Sequence, residues 1–284
     1  MGTFHVPETL DEACGLLAEL DDTMVYGGGT AIQILVKQGL LFTEHYIDIS
    51  RIPSLREISV TDDAVTVGPM VSLRQMETDE RVTSSAPLAA TTYGKVANPR
   101  VRNTASVAGN IAHGDYRLDP PTALVVLDAT VELSSTRGRR EVSMREFFVD
   151  FQVTEVQPDE LISAIRIPRQ PASATGSFVK LSSLAENDWP CASAAALAVP
   201  GEVTGGLTEL RLGMGAVAPT TRYLALDLDS DMSDQDVVDA AIEIADTAID
   251  PIEDIRGSAA YKAHLGRVAV EESVRAVMKE LQRA

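Results

Sequence analysis

The stretch Asn98 to Leu124, NPRVRNTASVAGNIAHGDYRLDPPTAL, decides how this chain is read. At its centre, Ser106-Val107-Ala108-Gly109-Asn110 is a run of small residues suited to a tight turn. Asn110 tolerates left-handed backbone and carries an amide donor. Asp119 follows nine positions later, ahead of Pro120-Pro121. Its carboxylate either caps a helix starting near Pro121 or accepts hydrogen bonds from ribityl or ribose hydroxyls. About eighty residues upstream lies a second small-residue turn, Gly27-Gly28-Gly29-Thr30. Glycine permits positive φ and close approach of a ligand. Successive N–H groups there form an anion nest, to which a following helix adds its positive end. Each turn has a plain alternative, a strand-to-helix connection for the first and a packed corner for the second. Taken together, they expose backbone N–H groups on both sides of one pyrophosphate and point to a dinucleotide gripped between two lobes. Neither turn has the GxGxxG or GxxxxGK[ST] spacing.

Working outward, Thr9 and Glu12 form a capping box for a first helix whose Leu10, Ala13, Leu16, Leu17 and Leu20 share one face. A strand at Thr23–Tyr26, a helix from Ala31 to Lys37 ending at Gly39, and a strand at His45–Ile49 complete a β-turn-α-β unit. Strands are expected at Ile58–Val60, Ala64–Val67, Thr130–Ser134, Arg140–Ser143 and Leu161–Ile167, with helices at Ser72–Thr78 and Ala86–Tyr93. The segment QPASATG, 170–176, reads as a domain boundary. Beyond it come strands at Ser177–Ser182, Ala192–Val199 and Glu209–Val217. Helices at Asp234–Thr247 and Ser258–Leu281 follow. Strands followed by helices indicate an α+β module.

Composition narrows the function. The 24 basic and 42 acidic residues give a net charge of -18, which disfavours nucleic acid. No apolar run is long enough to span a bilayer, and the N-terminus shows no basic or apolar leader, so a cytoplasmic protein is expected. Cys14 and Cys191 form no CxxC pair, so the chain cannot by itself ligate an iron–sulfur cluster or a thiolate zinc. His113 stands beside the second turn without a nucleophile or metal-ligand constellation, which favours a local hydrogen-bonding role over catalysis. No catalytic residue and no metal ligand is assigned.

The residues quoted resemble the FAD-binding medium subunit of the molybdenum hydroxylases, the carbon monoxide dehydrogenase and xanthine dehydrogenase family. Gly27 to Thr30 matches the family's AGGT turn, and Ala105 to Asn110 matches its GTIGGN core. Leu212-Gly213-Met214-Gly215-Ala216-Val217-Ala218-Pro219-Thr220 is similar to LGGVAPTP, and Asp254-Ile255-Arg256-Gly257-Ser258 to DIRGS. Two departures stand out: Ala108 replaces a glycine and Leu118 replaces the serine before the ribityl aspartate. If position 108 needed positive φ, alanine there would cost about 1 kcal/mol.

The resemblance implies an α+β fold. Residues 1–172 would form a two-lobed FAD-binding domain of PCMH/VAO-like type, with lobes 1–54 and 55–172. Residues 173–284 would form a C-terminal α+β domain of the carbon monoxide dehydrogenase flavoprotein type, with a small antiparallel sheet and helices. It implies non-covalent FAD held by Val25, Tyr26, Gly27, Gly28, Gly29, Thr30, Ala31, Ile32, Val96, Ser106, Val107, Ala108, Gly109, Asn110, Asp119, Ile162 and Lys180. Ile162 would lie against the flavin. Lys180 would sit near its N1/O2 edge, the alternative being a lysine that merely snorkels from its strand. Trp189 either flanks the ring or fills the third domain's core. The implied role is electron transfer. A small subunit with 2Fe-2S clusters and a large molybdopterin subunit would be partners in a dimer of heterotrimers, and NAD, a quinone or oxygen the external acceptor. The rival readings are a stand-alone FAD-dependent oxidase or dehydrogenase and a scaffold subunit that has lost FAD.

Overall fold

Local signals build the first lobe as expected. In the computed structural model, which describes residues 2–200, 207–229 and 231–283, the Thr9 side chain accepts the Glu12 amide at 3.2 Å. The lobe comprises β1 (Thr3–His5), α1 (Leu10–Glu19), β2 (Thr23–Tyr26), α2 (Ile32–Lys37) and β3 (His45–Asp48). The strands are parallel in the order β1-β3-β2. Ala13, Cys14 and Leu17 of α1 turn inward onto Ile47, Ile49 and Leu161. Gly39, at φ +68°, releases the chain after α2.

The second lobe starts with β4 (Ile58–Val60) and β5 (Ala64–Val67). Six helices follow: α3 (Leu73–Thr78), α4 (Glu80–Ser85), α5 (Pro87–Gly94), α6 (Pro99–Thr104), α7 (Val107–Ala112) and α8 (Pro120–Val126). Next come β6 (Thr130–Ser135), β7 (Gly138–Ser143), the single turn α9 (Met144–Phe147) and a small hairpin of β8 (Phe148–Asp150) and β9 (Val153–Thr154). The lobe closes with β10 (Leu161–Pro168). Its main sheet is antiparallel, β4-β5-β10-β6-β7. The last strand therefore enters the middle of the sheet, between two hairpins.

The third lobe is a four-stranded antiparallel sheet of β11 (Thr175–Ser182), β12 (Pro190–Pro200), β13 (Leu207–Gly215) and β14 (Arg222–Asp227) in sequence order. It is followed by α10 (Asp234–Asp246) and α11 (Ala259–Leu281). The run of small apolar residues in β12 has a physical cause. Ala192, Ala194, Ala196 and Ala198 face α10 and α11, packing with Val270, Val274 and Val277. Ala195 and Leu197 face the other way, into the core that holds Ala123, Leu124 and Val125 of α8. A strand covered by helices on both faces reads as a continuous apolar run rather than an alternating one.

Helix α8 thus joins the second lobe to the third. Gly213 makes the contact close: a methyl there would lie 2.1 Å from the Thr122 carbonyl oxygen. Gly215 is similarly crowded by Ser193 Oγ and Thr122. The whole is an α+β structure with a helix-rich cofactor half and a C-terminal sheet-and-helix unit. Helices α4, α6 and α7 and strands β1 and β14 were not expected from the sequence.

Candidate cofactor-binding site

The first turn leaves the C-terminal end of β2 and runs into α2. Gly29 has φ +70°, a conformation that only glycine adopts freely. A methyl on Gly29 would also strike the Tyr26 hydroxyl at 2.2 Å. That hydroxyl accepts a hydrogen bond from Gln33 Nε2 at 2.7 Å and so ties the turn to α2. Among the described residues, the amides of Gly27, Gly28, Gly29, Thr30 and Ala31 donate to no protein acceptor. Five successive unpaired donors at a strand-to-helix turn form an anion nest.

The second turn lies directly against the first. A methyl on Gly28 would be 2.0 Å from the Thr104 carbonyl oxygen, and one on Gly27 would be 3.0 Å from Ser106 Oγ. The two corners, remote in sequence, therefore meet backbone to backbone. Their chemistry differs from the expectation that both present free amides. Ser106 is the N-cap of α7, and its Oγ accepts from the Gly109 amide at 3.2 Å. The amides of Val107 and Ala108 donate to the carbonyls of Val71 and Pro69, and that of Asn110 to Ser106. The second corner keeps side-chain groups instead. Asn110 Oδ1 is buried without a partner.

Asp119 carries a further buried acceptor. It stands at the N-cap position of α8 but makes no capping bond. One carboxylate oxygen pairs with Lys180 Nζ at 2.7 Å, both side chains being 4% exposed. The other oxygen is buried without a partner. Burial pushes the Asp119 carboxyl up to about 6, with the Lys180 charge pulling it down. Lys180 Nζ also donates to the Lys95 carbonyl at 3.0 Å, leaving a third N–H. Lys180 is thus no snorkelling surface lysine. Val96, next to Lys95, packs against the core, and its carbonyl accepts from Arg102 at 2.9 Å. Ile162 is buried on β10, the strand on which α7 packs. Val25 packs on the first-lobe core.

A second polar cluster went unread in the sequence. Arg117 is held by both oxygens of Asp115, at 2.8 and 2.5 Å. Its guanidinium lies 5.0 Å from the Trp189 ring centroid and 5.2 Å from that of Tyr116. Trp189 therefore neither fills the third core nor stands free; it carries a cation on its face. Lys262, fully buried, binds Asp254 at 2.7 Å and the Ile252 carbonyl at 2.8 Å. Asp254 also accepts from the Tyr116 hydroxyl at 3.0 Å. This network fastens the 115–117 loop to the C-terminal unit. Asp254 lies in the DIRGS motif, which was the one signal that could have found it. Burial lowers the His113 pKa, against the opposing pull of Asp115, and its ring makes no hydrogen bond among the described residues.

Residues 1–170 match the sequence family described as the FAD binding domain in molybdopterin dehydrogenase. The chain belongs to that family of flavin-binding subunits. Residues 177–277 match the CO dehydrogenase flavoprotein C-terminal domain. The carbon monoxide dehydrogenase medium chain of Hydrogenophaga pseudoflava is 30% identical over 281 residues, covering 96% of each chain. Subunit alpha of the 6-hydroxypseudooxynicotine dehydrogenase complex of Paenarthrobacter nicotinovorans is 28% identical, covering 99% of this chain and 95% of its own. In the reconstituted CO dehydrogenase from Oligotropha carboxidovorans, one chain superposes with a TM-score of 0.91 at 26% identity, covering 100% of this chain and 99% of that one. The flavoprotein is accordingly a component of a molybdopterin-dependent oxidoreductase. Among the described residues, no helix is long and apolar enough to cross a membrane, and no cluster of ligating side chains could hold a metal.

The residues present fit FAD. A diphosphate needs unpaired donors in a glycine cradle, which Gly27 to Ala31 provide. Ribityl hydroxyls need buried acceptors, which the orphan oxygens of Asn110 and Asp119 provide.

Proposed function

We propose that this FAD-binding subunit carries electrons from 2Fe-2S clusters on a small partner chain to an external acceptor. A large molybdopterin chain would perform the substrate chemistry, and the assembly would be a dimer of such heterotrimers. The observation that carries the cofactor half of this reading is one juxtaposition. Free amides at Gly27–Ala31 abut the 104–110 corner, on which Asn110 Oδ1 is a buried acceptor without a partner; Asp119 Oδ1, at the start of α8, is another.

In this reading the amides of Gly27 to Ala31 hold the diphosphate, with Ile32 and the first turn of α2 behind them. Val25 and Tyr26 set the strand from which the turn departs. The Ser106–Asn110 corner supplies a rigid floor through Val107 and Ala108, and polar contact through the Ser106 hydroxyl and the Asn110 amide. Asp119 accepts from the ribityl chain. Val96 and Ile162 would give apolar contact to the ring, and Lys180, with a third N–H to offer, would serve its N1/O2 edge. Bound FAD supplies chemistry that accepts electrons singly and releases them in pairs. The side chains hold and orient; none is assigned as general acid or base. We put the domain boundary at 172/173, a choice supported by the connection between β10 and β11 that contains it.

The test uses purified chains. The full-length subunit should carry one FAD. Anaerobic addition of a dithionite-reduced 2Fe-2S partner, freed of excess dithionite, should bleach its visible absorbance. A yellow protein that no reduced partner bleaches would leave the cofactor assignment standing and remove the electron-transfer role.

A further inference from the structure

Segment 115–119, which ends on the carboxylate assigned to the ribityl chain, is gripped from the third lobe at three points. Asp119 pairs with Lys180 of β11 at 2.7 Å. The Tyr116 carbonyl accepts the Ala216 amide, at the corner between β13 and β14, at 2.9 Å. The Tyr116 hydroxyl donates to Asp254, ahead of α11, at 3.0 Å. Within the segment, the buried Asp115 carboxylate accepts the Arg117 amide at 2.9 Å, and the Asp115 carbonyl accepts that of Leu118 at 3.1 Å. The five residues are thus tied to one another by a turn and, on both sides of that turn, to the third lobe.

The Asp254 anchor is an ionic one. Its Oδ1 accepts Lys262 Nζ at 2.7 Å and the Arg256 amide at 2.9 Å, while its Oδ2 accepts the Tyr116 hydroxyl and lies 3.7 Å from Arg117. Lys262 is fully buried, and its ammonium stands 5.7 Å from the Tyr116 ring centroid. A buried ammonium is costly to desolvate, so such a pair adds little net stability. What it fixes is geometry: the ring and the hydroxyl of Tyr116 are both set by groups of segment 254–262. The second and third lobes share another ionic contact at Asp128, which binds Arg145 of α9 and, at 2.7 Å, Arg211 of β13. That contact lies past the opposite end of α8 from Asp119.

We propose that Tyr116, Asp254 and Lys262 are positioning residues for the flavin. They set where Asp119 presents its carboxylate and, through Asp119, where Lys180 presents its third N–H. None of the three is assigned to the cofactor itself. The inference rests on the proposed placement of FAD against Asp119 and Lys180. Flavin affinity and the hold of the third lobe on segment 115–119 are then linked: loosening the anchor weakens FAD, and bound FAD tightens the anchor by the same factor.

The experiment is FAD titration of the stripped full-length subunit, wild type beside two variants, with urea unfolding of each. Tyr116→Phe removes one hydroxyl and leaves the ring against Phe151 and Lys262. It should raise the FAD dissociation constant about tenfold, the equivalent of about 1.4 kcal/mol. It should also lower the reduction potential of the flavin it retains, because Lys180 is less well aimed. Asp128→Asn keeps a residue that tolerates the left-handed backbone at φ +55° and weakens the other ionic contact between the lobes. It should lower the urea midpoint and leave affinity and potential where they were. Equal weakening of FAD by the two variants would reduce Tyr116 to an ordinary contact between lobes, and an unchanged affinity in Tyr116→Phe would give it no part in the flavin site. Either result overturns the positioning role, while a wild type that takes up FAD preserves the cofactor reading. A wild-type chain that takes up no FAD would overturn both.

Discussion

The two corners that meet at the cofactor site are built by opposite means. The Gly27–Ala31 corner is main chain: five amides without partners among the described residues, and Gly28 set against the Thr104 backbone. In the Ser106–Asn110 corner the amides of residues 107–110 are taken up by Ser106, Val71 and Pro69, and Asn110 Oδ1 is left as a buried acceptor. A phosphate needs several donors at short range, which only closely spaced amides deliver without charge. Hydroxyls need individually aimed acceptors, which side chains deliver. It follows that the first corner should fail when atoms are added and the second when atoms are removed.

The sharpest break of that contrast is a pair of identical substitutions. Gly28→Asp places a Cβ where the Thr104 carbonyl already lies and a carboxylate beside the phosphate site. Flavin should be lost completely, with a fold destabilised by about 3 kcal/mol. Gly109→Asp meets only the movable Ser106 Oγ, at 2.8 Å, and adds an acidic residue to the first turn of α7, where it suits the helix. Its fold should hold, and its flavin content should fall by less. The ratio of flavin to protein absorbance, read beside urea unfolding, distinguishes the two. Equal losses would mean that the corners are equivalent after all.

Removal should hurt most at Lys180. Lys180→Met leaves the Asp119 carboxylate buried without its cation, a change worth about 3–5 kcal/mol when a buried pair is broken on one side. The urea midpoint should fall accordingly. In whatever flavin remains, the reduction potential should drop, because a cation that favours the reduced anion is gone. An unchanged potential would take Lys180 out of the flavin's surroundings while leaving its structural pairing intact.

Asp119 gives a smaller, pH-dependent effect. Its carboxyl is raised from 3.8 to about 6, chiefly by burial. A raised folded-state value means that the native chain holds the proton more tightly than the unfolded chain. The associated stability is therefore complete below about pH 4 and is lost as pH rises through about 6, by up to about 3 kcal/mol. In the flavin-free chain, unfolding from pH 4 to pH 7 should show this decline, and Asp119→Asn should lack it. A variant with the same pH slope as wild type would show that another group titrates there.

Legibility in the sequence followed the range of the contacts. The unit from Thr9 to Asp48 reads almost residue by residue, because a cap, a glycine turn and apolar periodicity all act within a few positions. Strand β1 escaped because Thr3–His5 is defined only by pairing with residues 45–47. Helix α7 escaped because its N-cap, Ser106, opens a small-residue run that reads as a tight turn; α6, capped by Asn98, carries no such local apolar pattern. At the site, Asp119 and Lys180 were each singled out, yet nothing local announces that side chains 61 positions apart will pair. The Arg117–Trp189 and Tyr116–Asp254 contacts are hidden for the same reason.

Ala108 is where a local reading misjudged the energetics, and it gives the finest test of the comparison. As a turn residue replacing glycine, it raised the prospect of strain at positive φ. In the structure it is the second residue of α7, absent from the positive-φ positions, with its amide bonded to the Pro69 carbonyl at 3.1 Å. Alanine is the better helix former there by about 0.5–1 kcal/mol. Ala108→Gly should therefore lower stability by that amount and leave flavin affinity where it was, as measured by unfolding and by FAD titration of the stripped protein. A gain in affinity on restoring glycine would mean that this corner does bring its backbone close to the cofactor, and the division into a main-chain side and a side-chain side would have to be redrawn.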